Sequence, residues 1–140
     1  MASIMKISDN VDLDNLDRPR KRILLSKEKD LLIALNAYAP GARNEFHYHA
    51  GSSQSFLVLK GELTIRTMEK EDGPVTESVL GEGDCVLVAN GEYYQLYNHT
   101  DAPALMYQVK HPGDRIVVLG KGALHNKDYF TPDRQAEKAL

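Results

Sequence analysis

A chain of 140 residues, 42% hydrophobic and 26% charged, has the length and composition of one compact domain with a core of its own. Its formal net charge of −3 removes any global electrostatic case for binding nucleic acid. No apolar run reaches the ~20 residues of a membrane helix and the polar start lacks a signal-peptide core, so a cytoplasmic protein is expected, away from the membrane.

In chain order, residues 1–21 read as an N-terminal arm. Asp9, Asp12, Asp14 and Asp17 precede a basic cluster, Arg18-Pro19-Arg20-Lys21-Arg22. A solvated arm is the expectation for this charge pattern, with a phosphate or partner site as the alternative. Short β-favouring runs follow, punctuated by Gly, Pro, Asn and Asp. They predict strands over Arg22–Leu25, Leu31–Tyr38, Asn44–His49, Gln54–Lys60, Glu62–Thr67, Val75–Val79, Cys85–Ala89, Tyr93–Asn98, Ala104–Val109 and Arg115–Leu119. Turn chemistry sits between them at Lys60-Gly61, Glu71-Asp72-Gly73-Pro74, Gly81-Glu82-Gly83-Asp84 and Asn90-Gly91. Many short strands at this spacing predict an antiparallel all-β sandwich or barrel, one domain over 1–140 with a core of about 22–119.

Leu31–Leu35, Phe56–Leu59 and Val86–Val88 are apolar on both faces of a strand. A strand wet on one face should alternate, so the outer face needs a cover: the N-terminal segment or, as preferred here, a second subunit in a homodimer. Cys85, the only cysteine, excludes an intrachain disulfide and reads as a small buried hydrophobe. In the tail, 120–140, a short helix is expected from Thr131 and Pro132 onward, where cap, first-turn proline and good helix formers follow one another.

The informative run is Arg43-Asn44-Glu45-Phe46-His47-Tyr48-His49. With a period of two, Arg43, Glu45, His47 and His49 are expected on one strand face. Two imidazoles at alternate positions can chelate a divalent ion, and the next strand brings Gln54 back beside them. The charged pair admits two readings. Arg43 and Glu45 form a salt bridge near the barrel mouth, or Arg43 clamps a substrate carboxylate or phosphate with Glu45 as a proton-transfer group. Further on, Tyr94, Leu96 and Asn98 are expected inward, and Tyr93, Gln95 and Tyr97 outward. His99, His111 and His125 read as surface residues.

At these residues the chain resembles the cupin superfamily. The first cupin motif reads Gly41, His47, His49, Gln54 and Gly61, and the second reads Gly83, Ala89, Gly91, Tyr94 and Asn98, at the family's spacing. The resemblance implies a double-stranded β-helix, commonly dimeric, whose interior holds a metal or a small ligand. It implies His47, His49, Gln54 and Tyr94 as the metal positions, for Fe, Mn, Ni, Zn or Co. Gln54 stands where the family has Glu, and Tyr94 where it has His. An amide brings no charge, so such a site would bind metal more weakly and favour anionic substrates. Tyr94 can ligate as a phenolate or serve as a proton donor or acceptor beside the substrate.

The run Arg43-x-Glu45-x-His47 is also similar to one in 3-hydroxyanthranilate dioxygenases, which keep the Glu and second His that this chain lacks. Two functions are therefore expected. One is a metal-dependent enzyme (dioxygenase, isomerase, lyase or cyclase) acting on a small oxygenated, anionic metabolite through Glu45 or Tyr94. The other is a non-catalytic cupin that binds a small ligand without metal.

Overall fold

A computed structural model describes residues 2–28, 30–49, 51–70 and 72–112 of the chain. The strand expected over 115–119, the helix expected from 131 and His125 lie outside the described residues. The order of strands is β1 (Arg20–Lys27), β2 (Leu32–Tyr38), β3 (Ser53–Lys60), β4 (Leu63–Met68), β5 (Thr76–Leu80), β6 (Cys85–Val88), β7 (Tyr93–Tyr97) and β8 (Ala104–His111). They form a five-stranded sheet, β1-β2-β8-β3-β6, and a three-stranded sheet, β5-β4-β7. Every pairing in both sheets is antiparallel. This is the expected all-β barrel, with boundaries moved by a residue or two.

Turn chemistry sets the corners. Gly61, between β3 and β4, has φ 75°. A Cβ there would stand 2.7 Å from the carbonyl oxygen of Pro103. Only glycine meets both demands. Asn98 closes another corner as a fully buried side chain with every polar atom used. Its Nδ2 donates to the carbonyls of Tyr38 and Ala102, and its Oδ1 accepts from the backbone N–H and hydroxyl of Thr100.

Alternation along the strands sends one set of side chains between the sheets. Phe56 and Val58 of β3, Leu63 and Ile65 of β4, Leu96 of β7 and Met106 of β8 are buried in this inner core. Burying a side chain of this size contributes about 1.5–3 kcal/mol.

A second apolar cluster lies elsewhere. Leu35, Ala37 and Leu105 pack with Ile23, Leu25, Leu59 and Tyr107, and against them lie Val11, Leu13 and Leu16 of the N-terminal arm. Two 3-10 turns, Ile7–Asp9 and Leu13–Asn15, shape that arm. Asp12 holds the second turn by accepting from Asp14 N and Asn15 Nδ2. So the arm covers the outer face over β2 and β8, and it accounts for the doubly apolar β2. Outside that cover, Leu87 of β6 and Val79 of β5 stay exposed, at 68% and 58%.

Two local expectations are corrected. Residues 44–49 do not form a regular strand; the segment meets β7 through isolated bridges, Arg43 with Tyr97 and His47 with Tyr94, and through hydrogen bonds of Asn44 with Gln95 and Leu96. The cause is Asn44. Its side-chain Oδ1, rather than a backbone carbonyl, takes the Leu96 N–H at 2.7 Å, which interrupts the ladder. Cys85 is exposed, not buried, because β6 is a short edge strand. Its Sγ lies 3.2 Å from Ser55 Oγ.

Candidate functional site

The site begins at the bridge between His47 and Tyr94. Each backbone N–H donates to the other's carbonyl, at 3.1 and 2.8 Å, which holds the residues directly opposite each other. Their rings consequently lie 4.3 Å apart, centroid to centroid. His49 is two positions further on, with its ring 5.2 Å from that of His47. The side chains of His47, His49, Gln54 and Tyr94 are all buried. The two cupin motifs therefore do meet inside the barrel.

What they build is a hydrogen-bond chain. Asn36 Nδ2 on β2 donates to Gln108 Oε1 on β8 at 3.0 Å. Gln108 Nε2 donates to Gln54 Oε1 on β3 at 2.7 Å, a short and well-buried contact. Gln54 Nε2 donates in turn to Tyr94 Oη on β7 at 3.1 Å. Tyr94 Oη then faces His49 Nε2 at 3.5 Å. Three strands of one sheet and one of the other are tied across the interior by groups that pass donors in a single direction. Aligned bonds of this kind polarise one another in a low-dielectric interior.

The four family positions thus divide unequally as a metal cage. His47 is presented as a ligand would be: its Nδ1 lies 2.7 Å from the Glu45 carbonyl, which as acceptor places the ring's lone pair on Nε2. His49 instead turns Nε2 to a phenol. Gln54 has its amide oxygen and nitrogen both engaged, and Tyr94 is bonded to Gln54. Each of these oxygens, Gln54 Oε1 and Tyr94 Oη, accepts one hydrogen bond, and the Gln54 amide brings no charge to a ligand set. Among the described residues there is no group of three or more His, Cys, Asp or Glu side chains able to hold a metal ion. Two imidazoles, an amide and a phenol thus stand at the four positions, with no carboxylate among them.

Arg43 and Glu45 fall outside the interior face on which they were expected with the histidines. Arg43 is exposed and Glu45 half-buried, and neither lines the cavity beside the chain. The interruption at Asn44 breaks the alternation that would have carried them inward. What Glu45 supplies to the site is its backbone carbonyl, which holds His47.

The cavity has a volume of about 30 Å³, enough for about two waters or one small polar head group. His49, Tyr94, Asn36 and Gln108 line it together with Arg20 and Arg22 of β1, and Phe56, Leu96 and Met106 supply apolar wall. The two arginines belong to the basic cluster expected to be a solvated arm. That expectation holds for Arg18 and Lys21, which pair with Asp17. It fails for Arg20 and Arg22, because β1 begins at Arg20 and alternate positions turn inward. The signal was present as Arg20-x-Arg22 inside a strand, opposite Tyr38 and Asn36. Gln108 was missed as well, though it shares its face with Met106 in β8.

The remaining aromatic and imidazole groups have other uses. Tyr93 packs on Tyr48 with centroids 4.8 Å apart. Tyr97 stacks on exposed His99 at 4.0 Å. Exposed His111 places Nδ1 at 2.6 Å from the Asp30 carbonyl.

Comparison with known proteins agrees with this geometry. A relative, the uncharacterized protein L612 of Acanthamoeba polyphaga mimivirus, is 26% identical over 106 residues, covering 75% of this chain and 64% of its own length. The chain therefore spans under two thirds of that relative. A Klebsiella pneumoniae subsp. pneumoniae MGH 78578 protein with a double-stranded β-helix domain superposes with a TM-score of 0.69 at 17% identity, over 87% of this chain and all of the other (100%). Recombinant oxalate oxidase in complex with glycolate gives a TM-score of 0.67 at 17% identity, over 83% of this chain and 62% of the other. The cupin domain family model matches residues 34–110, which include both glycine-framed motifs and the whole hydrogen-bond chain. By that match, over more than half its length, the chain belongs to the cupin family.

Proposed function

We propose that this cupin binds a small oxygenated molecule in the barrel interior without a resident metal, the hydrogen-bond chain taking the place that a metal centre holds in other members. The observation that carries this reading is Gln54. Its oxygen accepts from Gln108 and its nitrogen donates to Tyr94, so the residue at the family's Glu position is a link between neighbours. An amide so engaged brings no charge to a cation, unlike the carboxylate that the family has at this position.

Acid–base chemistry at the same site is a second reading, favoured by one contact. Tyr94 Oη already accepts from Gln54, which leaves its own hydrogen for His49 Nε2 at 3.5 Å. A bound ligand between the two groups can receive or give that proton. This reading retains Tyr94 as the catalytic candidate and replaces Glu45 with His49.

A thermal-shift screen of small oxygenated metabolites, run in parallel with a chelator and with added Fe, Mn, Ni, Zn or Co, tests the first reading. At least one compound should raise the unfolding temperature equally in both arms. Stabilisation seen only in the metal arm would overturn it. Turnover of a stabilising compound, lost in Tyr94→Phe, would establish the second reading.

A further inference from the structure

We infer that the groove beside the β4–β5 turn is a second binding site, and that it takes a neutral saccharide. It is a cavity apart from the interior site, and the inference does not depend on what occupies that interior.

The groove has a volume of about 600 Å³, the size of a small-molecule site, where the interior cavity has about 30 Å³. Its position follows from the sheet register. Thr67 of β4 pairs with Thr76 of β5 on one side and with Tyr94 of β7 on the other, and Tyr94 bridges to His47. Directly paired residues send their side chains to one face of a sheet, so these four make a single polar row. The row passes from exposed Thr76 through half-buried Thr67 to buried Tyr94 and His47. Half-buried Glu92 lies two positions before Tyr94, and Glu69 two positions beyond Thr67, which extends the same face outward. Thr76, Thr67, Glu69 and Glu92 line the groove, with Lys70 beside them. The groove thus stands at the outer end of a row whose inner end is the interior site.

The lining selects a ligand class. Among the described residues it carries two carboxylates and one ammonium, which disfavours an anion. An apolar ligand would desolvate these groups without replacing their hydrogen bonds. What the groove offers is acceptors in Glu69 and Glu92, a donor in Lys70, and two threonine hydroxyls that do both. Neighbouring sugar hydroxyls require that mixture, because each of them also donates and accepts. Glu92 Oε1 accepts the Ala89 N–H at 3.3 Å, which steadies one of the carboxylates. Met68 and Pro74 are the apolar members of the lining, suited to the C–H face of a sugar ring. A polyamine is the competing class, since it would use the carboxylates, but it would leave both threonine hydroxyls unused.

The test is an amide NMR titration of the isotopically labelled full chain, with a chelator present throughout. The probes are glucose, galactose, mannose, fructose, maltose and sucrose, with cyclohexanol and spermidine for comparison. Cyclohexanol has a ring with one hydroxyl, and spermidine has charge without hydroxyls. At least one saccharide should bind with a Kd of about 10 mM or tighter, moving the peaks of Thr67, Thr76 and Glu92. The side-chain amide peaks of Gln54 and Gln108, which report on the interior, should move less. Thr76→Val and Glu69→Ala change exposed positions and should fold normally. Each should weaken the binding by about threefold or more, the loss of one ordinary hydrogen bond. Thr67→Val should do the same, and Arg18→Gln, on the solvated arm, should leave binding unchanged.

No binding by any saccharide, binding indifferent to all three groove substitutions, or tighter binding of spermidine or cyclohexanol than of every saccharide would each overturn the inference. A saccharide that moves the Gln54 and Gln108 amides in place of the groove peaks would lie in the interior, and would overturn it as well. The metal-independent reading of the interior is decided separately, by the thermal-shift arms with and without metal.

Discussion

Removing one oxygen atom from the barrel interior should be measurable as lost stability. In Tyr94→Phe the ring volume is kept, so no cavity forms. What goes is the acceptor for Gln54 Nε2 at 3.1 Å and the 3.5 Å contact with His49. The second is at the limit of a hydrogen bond and contributes little. The first leaves a buried amide N–H without its acceptor, which costs about 1–3 kcal/mol. Phenylalanine recovers a fraction by shedding the desolvation of the hydroxyl, so the expected net loss is about 1–2 kcal/mol. For a domain of this size each kcal/mol lowers the unfolding temperature by roughly 3–5 °C. Urea unfolding should show a lower midpoint with an unchanged slope, since the surface exposed on unfolding is the same. A cycle with Gln54→Met should show a coupling of about 0.5–1.5 kcal/mol, as the two single changes break the same bond. A neutral or stabilising Tyr94→Phe, or a coupling indistinguishable from zero, would mean that Gln54 and Tyr94 are not partners, and the hydrogen-bond chain would fall.

Three further changes test the frame that holds the site. Asn98→Ala removes four hydrogen bonds at one fully buried corner and should cost more than Tyr94→Phe, about 3 kcal/mol or more, by the same urea assay. Gly61→Ala places a methyl 2.7 Å from the Pro103 carbonyl at φ 75°, and a loss of at least about 1–3 kcal/mol is expected; an unchanged midpoint would contradict the close approach. Leu13→Ser with Leu16→Ser should uncover Leu35, Ala37 and Leu105, raising binding of a hydrophobic dye and lowering the midpoint, whereas no change would show that the arm does not cover that face.

The barrel was legible in the sequence because its signals are local. Strand alternation, turn glycines and the spacing of two motifs depend on neighbours a few residues apart. His47, His49, Gln54 and Tyr94 are grouped by the resemblance to the two cupin motifs and not by any local signal, since Tyr94 lies 40 residues beyond Gln54. The partners of Gln54 were not legible. Gln108 lies 54 residues away, and nothing in Met106-Tyr107-Gln108 shows that its amide N–H donates to the Gln54 oxygen.

The arginines went astray through a strand boundary. Starting β1 at Arg22 instead of Arg20 leaves the cluster looking like a solvated charge run, and two residues of strand convert half of it into cavity wall. Arg43 went astray in the opposite direction. A single side chain, Asn44, replaced a backbone acceptor and broke a period-two pattern that the sequence displays cleanly. Periodicity cannot register an interruption of that kind, because it is made by a hydrogen bond to a residue 52 positions away.

The account stands most directly on one titration, that of the purified chain with Fe, Mn, Ni, Zn and Co, beside the Gln54→Glu/Tyr94→His variant that restores the family's ligand types. The wild-type chain should retain none of these metals stoichiometrically through dialysis, and the double variant should acquire one. A wild-type chain that holds a full equivalent of metal, and loses it in His47→Ala, would contradict the central claim that hydrogen bonds occupy this site.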